Sequence, residues 1–150
     1  MSFVANGNKT PSQITISSDP FYPEIALDDI RETVRIDGTV TNERLNQIAI
    51  EEVIDVNRLL ISLKTPEAQT LAHYSAGFIA GKPYTDYLYL SAVANGVAAK
   101  VNEKYRSYDS SNSGNKRADD LTPSIDESRR NKNWAIQQIL GKNHTVVELI

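Results

Sequence analysis

The stretch YLYLSAVANGVAAKVNEKYRSY, residues 87–108, sets the architecture of this chain. Its apolar and small side chains recur at Tyr87, Leu90, Ala94, Val97, Ala98, Val101, Tyr105 and Tyr108. Steps of three and four are the period of an α-helix with one buried face. Asn95, Lys100, Asn102, Glu103 and Lys104 fall on the opposite side and are expected to face solvent. Gly96 interrupts the pattern; a residue without a side chain there weakens the helix, or marks a close helix crossing. Only one other stretch, Leu45 to Leu63, keeps such a period for as long.

Working outward, the second stretch reads as a helix that begins after Thr41, a good N-cap. Val40 before the cap and Leu45 after it resemble a hydrophobic staple. Leu45, Ile48, Ala49, Val53, Val56, Leu60 and Leu63 form its inner side, and Arg44, Glu51, Glu52, Asp55 and Arg58 its outer side. Upstream, Leu27, Ile30 and Val34 make a short helical face, with Asp28 and Asp29 near its positive end. Asp37-Gly38 is a turn.

Residues 1–26 read as an extended arm. QITIS at 13–17 has strand character, Asp19-Pro20 and Tyr22-Pro23 break regular structure, and Phe21 and Tyr22 are its apolar anchors. The arm has two places to pack, its own domain or a neighbour. Between the two long helices, residues 65–86 read as a loop with one or two helical turns after Pro66, broken by Gly77, Gly81 and Pro83.

Beyond Tyr108 the run DSSNSGN reads as a break, and Lys116 to Leu121 as a short helical piece. Thr122-Pro123 is expected to open the last helix. Ile125, Ser128, Ala135, Ile136, Ile139 and Leu140 form its inner side, Trp134 an edge, and Gly141 its stop. The ending HTVVELI, residues 144–150, is apolar and β-prone. It needs a cover, either its own helices or an adjacent subunit.

The whole is expected to be an all-α fold: a small bundle of about four principal helices over residues 27–150, with the arm at 1–26 and the tail at 144–150. A chain of 150 residues makes one such core. It has no cysteine, which excludes disulfides, thiolate nucleophiles and cysteine metal sites. No run approaches 18 apolar residues, and no basic-then-apolar leader opens the chain, so a soluble cytoplasmic protein is expected.

The net charge of −3 argues against a dedicated nucleic-acid binder. The charge is unevenly spread. Residues 1–99 hold seven basic and twelve acidic side chains, a net of −5; residues 100–142 hold nine basic and six acidic, a net of +3. Ordinary variation among solvated helix faces is the first reading of such segregation; it would also suit head-to-tail stacking of copies, or a basic face set against an acidic partner or phosphate. Lys116, Arg117, Arg129, Arg130, Lys132 and Lys142 read first as a solvated helix face, next as a protein contact, and last as a phosphate-facing patch.

Signals of catalysis are thin. His73 and His144 stand in unrelated contexts without ligand-like neighbours at helical spacing. There is no phosphate-binding glycine loop and no nucleophile elbow. Carboxylate pairs such as Glu51–Asp55 have Arg58 at hand for ordinary pairing. No catalytic, metal or cofactor site is expected.

Three stretches carry a resemblance: DPFYPEI at 19–25, DDIRETVRIDGTVTNERL at 28–45, and KYRSYDSSNSGNKRADDLTPSIDESRRNKNWAIQQILGKNHTVVELI at 104–150. In order and spacing they resemble the head completion, or head stabilisation, proteins of P2-like tailed bacteriophages. Together they cover both ends and about two thirds of the chain; residues 65–86 depart from the family pattern.

The resemblance implies a non-enzymatic virion protein that joins the DNA-filled head at the portal vertex. It implies a role similar to that of head–tail connector proteins, which form rings, commonly of twelve subunits. Implied partners are the portal protein, other head and tail completion proteins and further copies of the chain, close to packaged DNA and with no membrane. The implied place is the head–tail junction, after synthesis in the host cytoplasm. Under this resemblance Phe21, Tyr22, Arg129, Arg130, Val146, Val147, Leu149 and Ile150 are the expected contacts with subunits or portal. A small DNA-binding packaging accessory is the alternative. An unrecognised helical enzyme is a further one, and it would need a deep pocket holding His73 and carboxylates.

Overall fold

The computed structural model describes residues 12–108 and 112–142, with side chains throughout except at 105–123. Four helices dominate: α1, Leu27–Thr33; α2, Asn42–Leu59; α3, Tyr84–Tyr108; and α4, Asn112–Ile139. Two minimal antiparallel ribbons accompany them, so the molecule is mostly helical rather than purely so. Strand β1, Thr15–Ile16, pairs with β2, Ile25–Ala26, and β3, Phe78–Ile79, pairs with β4, Lys82–Pro83.

Helix α3 is the centre. Every residue from Ala92 to Ala99 is buried, which a helix with one apolar face does not achieve. The expectation of a single buried side is corrected here, because α2 and α4 pack on different flanks of α3. Glu51 of α2 reaches Lys100 and Asn57 reaches Tyr89, so α2 runs antiparallel to α3. Asn131 meets Asn95 and Arg129 meets Glu103, so α4 returns along α3 in the opposite direction. Small residues at Ala92, Ala94, Gly96, Ala98 and Ala99 let both neighbours come close. Asn95, expected in solvent, is buried; its amide donates to the Ser91 carbonyl (2.8 Å) and its oxygen accepts from Asn131 (3.4 Å). Tyr87, expected inside, is exposed, and Tyr89 takes the core position instead.

The caps follow the sequence. Thr41 Oγ1 accepts from the Arg44 amide at 3.3 Å and starts α2. Leu45, Ile48, Ala49, Val53 and Val56 are buried along it, and the chain tightens into a 3₁₀ turn at Ile61–Leu63. At the other end of the fold, Gly141 adopts φ +72°. Its amide bonds the Gln138 carbonyl, and that of Lys142 bonds the Gln137 carbonyl at 2.8 Å. That pair of bonds is the Schellman ending of α4. The start of α4 differs from expectation. The helix begins at Asn112 and passes through Thr122-Pro123 rather than opening there. A proline removes one backbone donor, and here the helix continues past it.

Of the two places open to the arm, its described part takes the chain's own domain. Phe21 and Tyr22 are buried, 3% and 6% exposed, in the chain's own core. Tyr22 stacks on Tyr89 with centroids 5.9 Å apart, and its hydroxyl donates to the Asn57 carbonyl at 3.0 Å. Tyr89 donates to Asn57 Oδ1 at 2.6 Å, and the Asn57 amide donates to Ser18. Burial, the largest cause, pushes the Tyr89 phenol well above its ordinary pKa. The strand in QITIS pairs with the arm's own end at Ile25–Ala26, and the rings of Phe21 and Tyr22 lie in the chain between the two strands.

Glu52 gives the interior its charge. Expected on the outer face of α2, it is 3% exposed. Lys132 Nζ lies 2.7 Å from Glu52 Oε2 and 2.6 Å from Asp55 Oδ2, and Lys100 lies 3.3 Å from Glu52 Oε1. Gly96 provides the notch: a Cβ built there overlaps Glu52 Oε2 and stands 2.6 Å from its Cδ. The close crossing anticipated at Gly96 is therefore real, and a carboxylate occupies it.

The notch has a stability signature. Gly96→Ala forces Glu52 off Lys132 and destabilises by about 1–3 kcal/mol. In a Glu52→Ala background the same change is neutral, or stabilising by up to about 1 kcal/mol, because alanine is then only the better helix former. Urea unfolding of the four chains of this cycle checks the sign reversal.

Asp55 titrates below the usual carboxylate range, chiefly through its hydrogen bond from Lys132 and then that from Arg58. A lowered native pKa means the unfolded chain binds the proton first. The contribution is therefore complete above the ordinary aspartate pKa, near about 3.9, and disappears as pH falls through the native value. The stability gap between the parent chain and Asp55→Asn should close over that window; a gap independent of pH would contradict the pairing. Finally, Ala80 holds φ +48° beside Gly81 at +80°, in the two-residue turn between β3 and β4. Ala80→Asn should raise stability by up to about 1 kcal/mol, since asparagine tolerates the left-handed region better. The midpoint of thermal unfolding reads this.

Candidate interaction surfaces

Two exposed features are built on this frame. The first is the segment from Tyr74 to Tyr87. The Tyr74 hydroxyl donates to the Leu63 carbonyl at 2.7 Å and ties the 3₁₀ turn Leu71–Tyr74 to the one that follows α2, Ile61–Leu63. The Tyr84 amide then donates to the Gly77 carbonyl and to Ser75 Oγ, which closes the β3–β4 hairpin against the start of α3. The Tyr84 ring lies on Gly77, where an added Cβ would sit 3.1 Å from it. Phe78 is 71% exposed and Ile79 59%, and Tyr84 and Tyr87 continue the patch onto α3. Such a cluster of rings in one short stretch is an interface signature, whereas lone exposed apolar residues are ordinary. The region was expected to be a loop with one or two helical turns; the 3₁₀ turn Leu71–Tyr74 is one such turn, and the glycines and proline read there as breakers instead shape a hairpin.

Beside this patch lies a groove of 240 Å³ between β2, α1 and the start of α3. Glu24, Asp29, Glu32 and Asp86 line it, with Lys82 as its cation and Tyr87 and Leu90 as its apolar wall. Partial burial raises the Asp86 pKa, and nearby Lys82 opposes that rise.

The second feature is the outer side of α4. From Ser128 to Lys142 the sequence holds four basic residues and no acid. They are used unequally. Lys132 is sequestered with Glu52 and Asp55, and Arg129 pairs with Glu103 on α3. Arg130 stacks over Trp134, 5.1 Å from the ring centroid, and Trp134 is 43% exposed. Lys142 is exposed just past the helix end.

The structure thus separates the residues the sequence grouped. Arg129 and Arg130 are neighbours on α4, the first bonded within the chain and the second laid on tryptophan. Phe21 and Tyr22 are in the core. Val146, Val147, Leu149, Ile150 and His144, and the side chains of Lys116 and Arg117, lie outside the described residues. His73 is exposed and meets Tyr74 edge-on at 5.0 Å. Among the described residues no cluster of three metal-binding side chains occurs, and no helix is long and apolar enough to cross a membrane. Sequence reasoning missed the hairpin patch and the acidic groove. The tyrosines at 74, 84 and 87 were the available signal, being too many for a loop of no consequence.

Comparison with known proteins supplies the family. The family model described as phage head completion protein (GPL) matches residues 16–150. The head completion/stabilization protein of Escherichia phage P2 is 31% identical over 134 residues, covering 87% of this chain and 79% of that protein. No solved structure matches. A match across all four helices and the arm from Ile16 onward shows that the chain belongs to the phage head completion protein family.

Proposed function

We propose that this protein is a structural component of a tailed-phage virion that completes the DNA-filled head at the portal vertex. In this reading its copies form a ring-like layer there that joins head to tail. The observation that carries the reading is the family match over residues 16–150, which includes the core, the hairpin and both helix-borne surfaces. The fold supports it in kind. Its exposed chemistry is aromatic, apolar and charged surface, which suits adhesion between proteins. The portal protein, other completion proteins and further copies are the partners in this reading, with packaged DNA nearby. Arg130, with Arg129 beside it, and the terminal Val146, Val147, Leu149 and Ile150 are the contact residues we assign to it. Phe21 and Tyr22 instead hold the chain's own core together, and contribute by fixing the arm.

The DNA-binding accessory reading is weaker, because Lys132 and Arg129 of the basic cluster already have carboxylate partners. Purified protein should bind a duplex fragment no tighter than about 10⁻⁴ M at physiological salt, the weak end of non-specific binding. Micromolar affinity that collapses with added salt would favour the accessory instead.

Phage produced without this chain tests the main reading. Packaged heads should leak DNA or fail to accept tails, purified protein should restore them, and labelled protein should mark a single vertex. Heads that mature and join tails without it, or label spread over the whole shell, would refute the proposal.

A further inference from the structure

We infer that copies of this chain bind each other head to tail, with the Arg130–Trp134 face of α4 on one copy seated in the acidic groove beside Tyr87 on the next. The inference takes from the proposed ring only that copies lie side by side; the surfaces themselves come from the structure. The groove has four carboxylates against one lysine, so it carries net negative charge. Its wall supplies the exposed Tyr87, and the exposed Ile79 stands cross-strand from the groove-lining Lys82 on the adjoining hairpin. The α4 face offers the complement: the Arg130 guanidinium lies over the exposed Trp134 ring, and from Ser128 to Lys142 the sequence holds four basic residues and no acid, although Asp126 and Glu127 stand one turn before Arg130.

Arginine and tryptophan are the side chains that most often dominate an interface, and both need a partly desolvated pocket to do so. Glu32 and Asp29 stand on α1 at the groove's edge, where they can receive a guanidinium through paired hydrogen bonds. Nucleic acid is a poor occupant, because four carboxylates repel phosphate. A second copy is the partner argued from charge, since the same molecule carries both halves of the match on different elements.

The two halves lie on different surfaces, the groove between β2, α1 and the start of α3, the other on the outer side of α4. A contact between different patches is heterologous, and it propagates until the rotation closes into a ring. Its polar character makes it sensitive to ionic strength.

Sedimentation equilibrium of the intact chain tests this with Arg130→Glu and Glu32→Arg, both at exposed positions. The parent chain should self-associate reversibly, and less so as salt rises. Each variant alone should bind itself at least about tenfold more weakly, since like charges then face each other. An equimolar mixture of the two variants should associate again. The glutamate introduced on α4 of one then meets the arginine introduced on α1 of the other, while the remaining contact is of parent type. Circular dichroism confirms that each variant is folded. A parent chain that stays monomeric to about 1 mM, a threshold corresponding to only about 4 kcal/mol of binding, overturns the inference. So do variants that associate like the parent, or a mixture that fails to recover. None of these failures alters whether heads lacking the chain leak DNA, so the proposed function stands or falls separately.

Discussion

Glu52 in the notch at Gly96, held by Lys132, is the contact on which the rest of the structure depends. It joins the three long helices at one point, with one residue from each. A buried charge is expensive unless paired and hydrogen-bonded, and a pair of this kind adds little net stability over an apolar substitute. What it does add is register. A carboxylate that fits only above a glycine, and a lysine that must reach both Glu52 and Asp55, allow one sliding position of α2 and α4 along α3. Apolar contacts alone would tolerate several, because Ala92, Ala94, Ala98 and Ala99 offer much the same surface at each step.

The exposed chemistry follows from that register. With Lys132 drawn inward and Arg129 bonded to Glu103, the α4 cations left toward solvent include Arg130 on its tryptophan and Lys142 beyond the helix end. With the arm folded onto α2 and α3 through Phe21, Tyr22 and Asn57, the aromatic surface that projects is the hairpin and the start of α3. The outer surface described here includes a basic aromatic face and an acidic aromatic groove.

Much of the frame was legible in the chain. The period from Leu45 to Val56, the Thr41 cap and the Gly141 stop are local properties, and each appears where the sequence puts it, although the helix expected to reach Leu63 ends at Leu59 and gives way to a 3₁₀ turn. The misreadings share a cause, since each depends on partners remote in sequence. Glu52 and Asn95 read as solvent-facing by residue type, and Lys132, 80 positions further on, together with Lys100 makes a buried Glu52 tolerable. Phe21 and Tyr22 read as anchors with two possible places to pack, because their partners Asn57 and Tyr89 are not local to them. The hairpin was hidden by Ala80, an unfavourable residue for a turn with two positive φ angles, and by a proline that its edge strand accommodates. For the site, the Arg129–Arg130 pair was legible as chemistry. Which of the two is spent inside the chain was not.

The most direct measurement is hydrogen–deuterium exchange of the intact protein, comparing the parent chain with Lys132→Met. Methionine keeps the apolar stem of lysine and deletes only the charge. If the junction fixes α4, amides over residues 124–139 should lose protection in the variant, while Ala92–Ala99 remain the slowest to exchange. Unchanged protection along α4 would contradict the account, and would mean that apolar packing alone sets the arrangement of the helices.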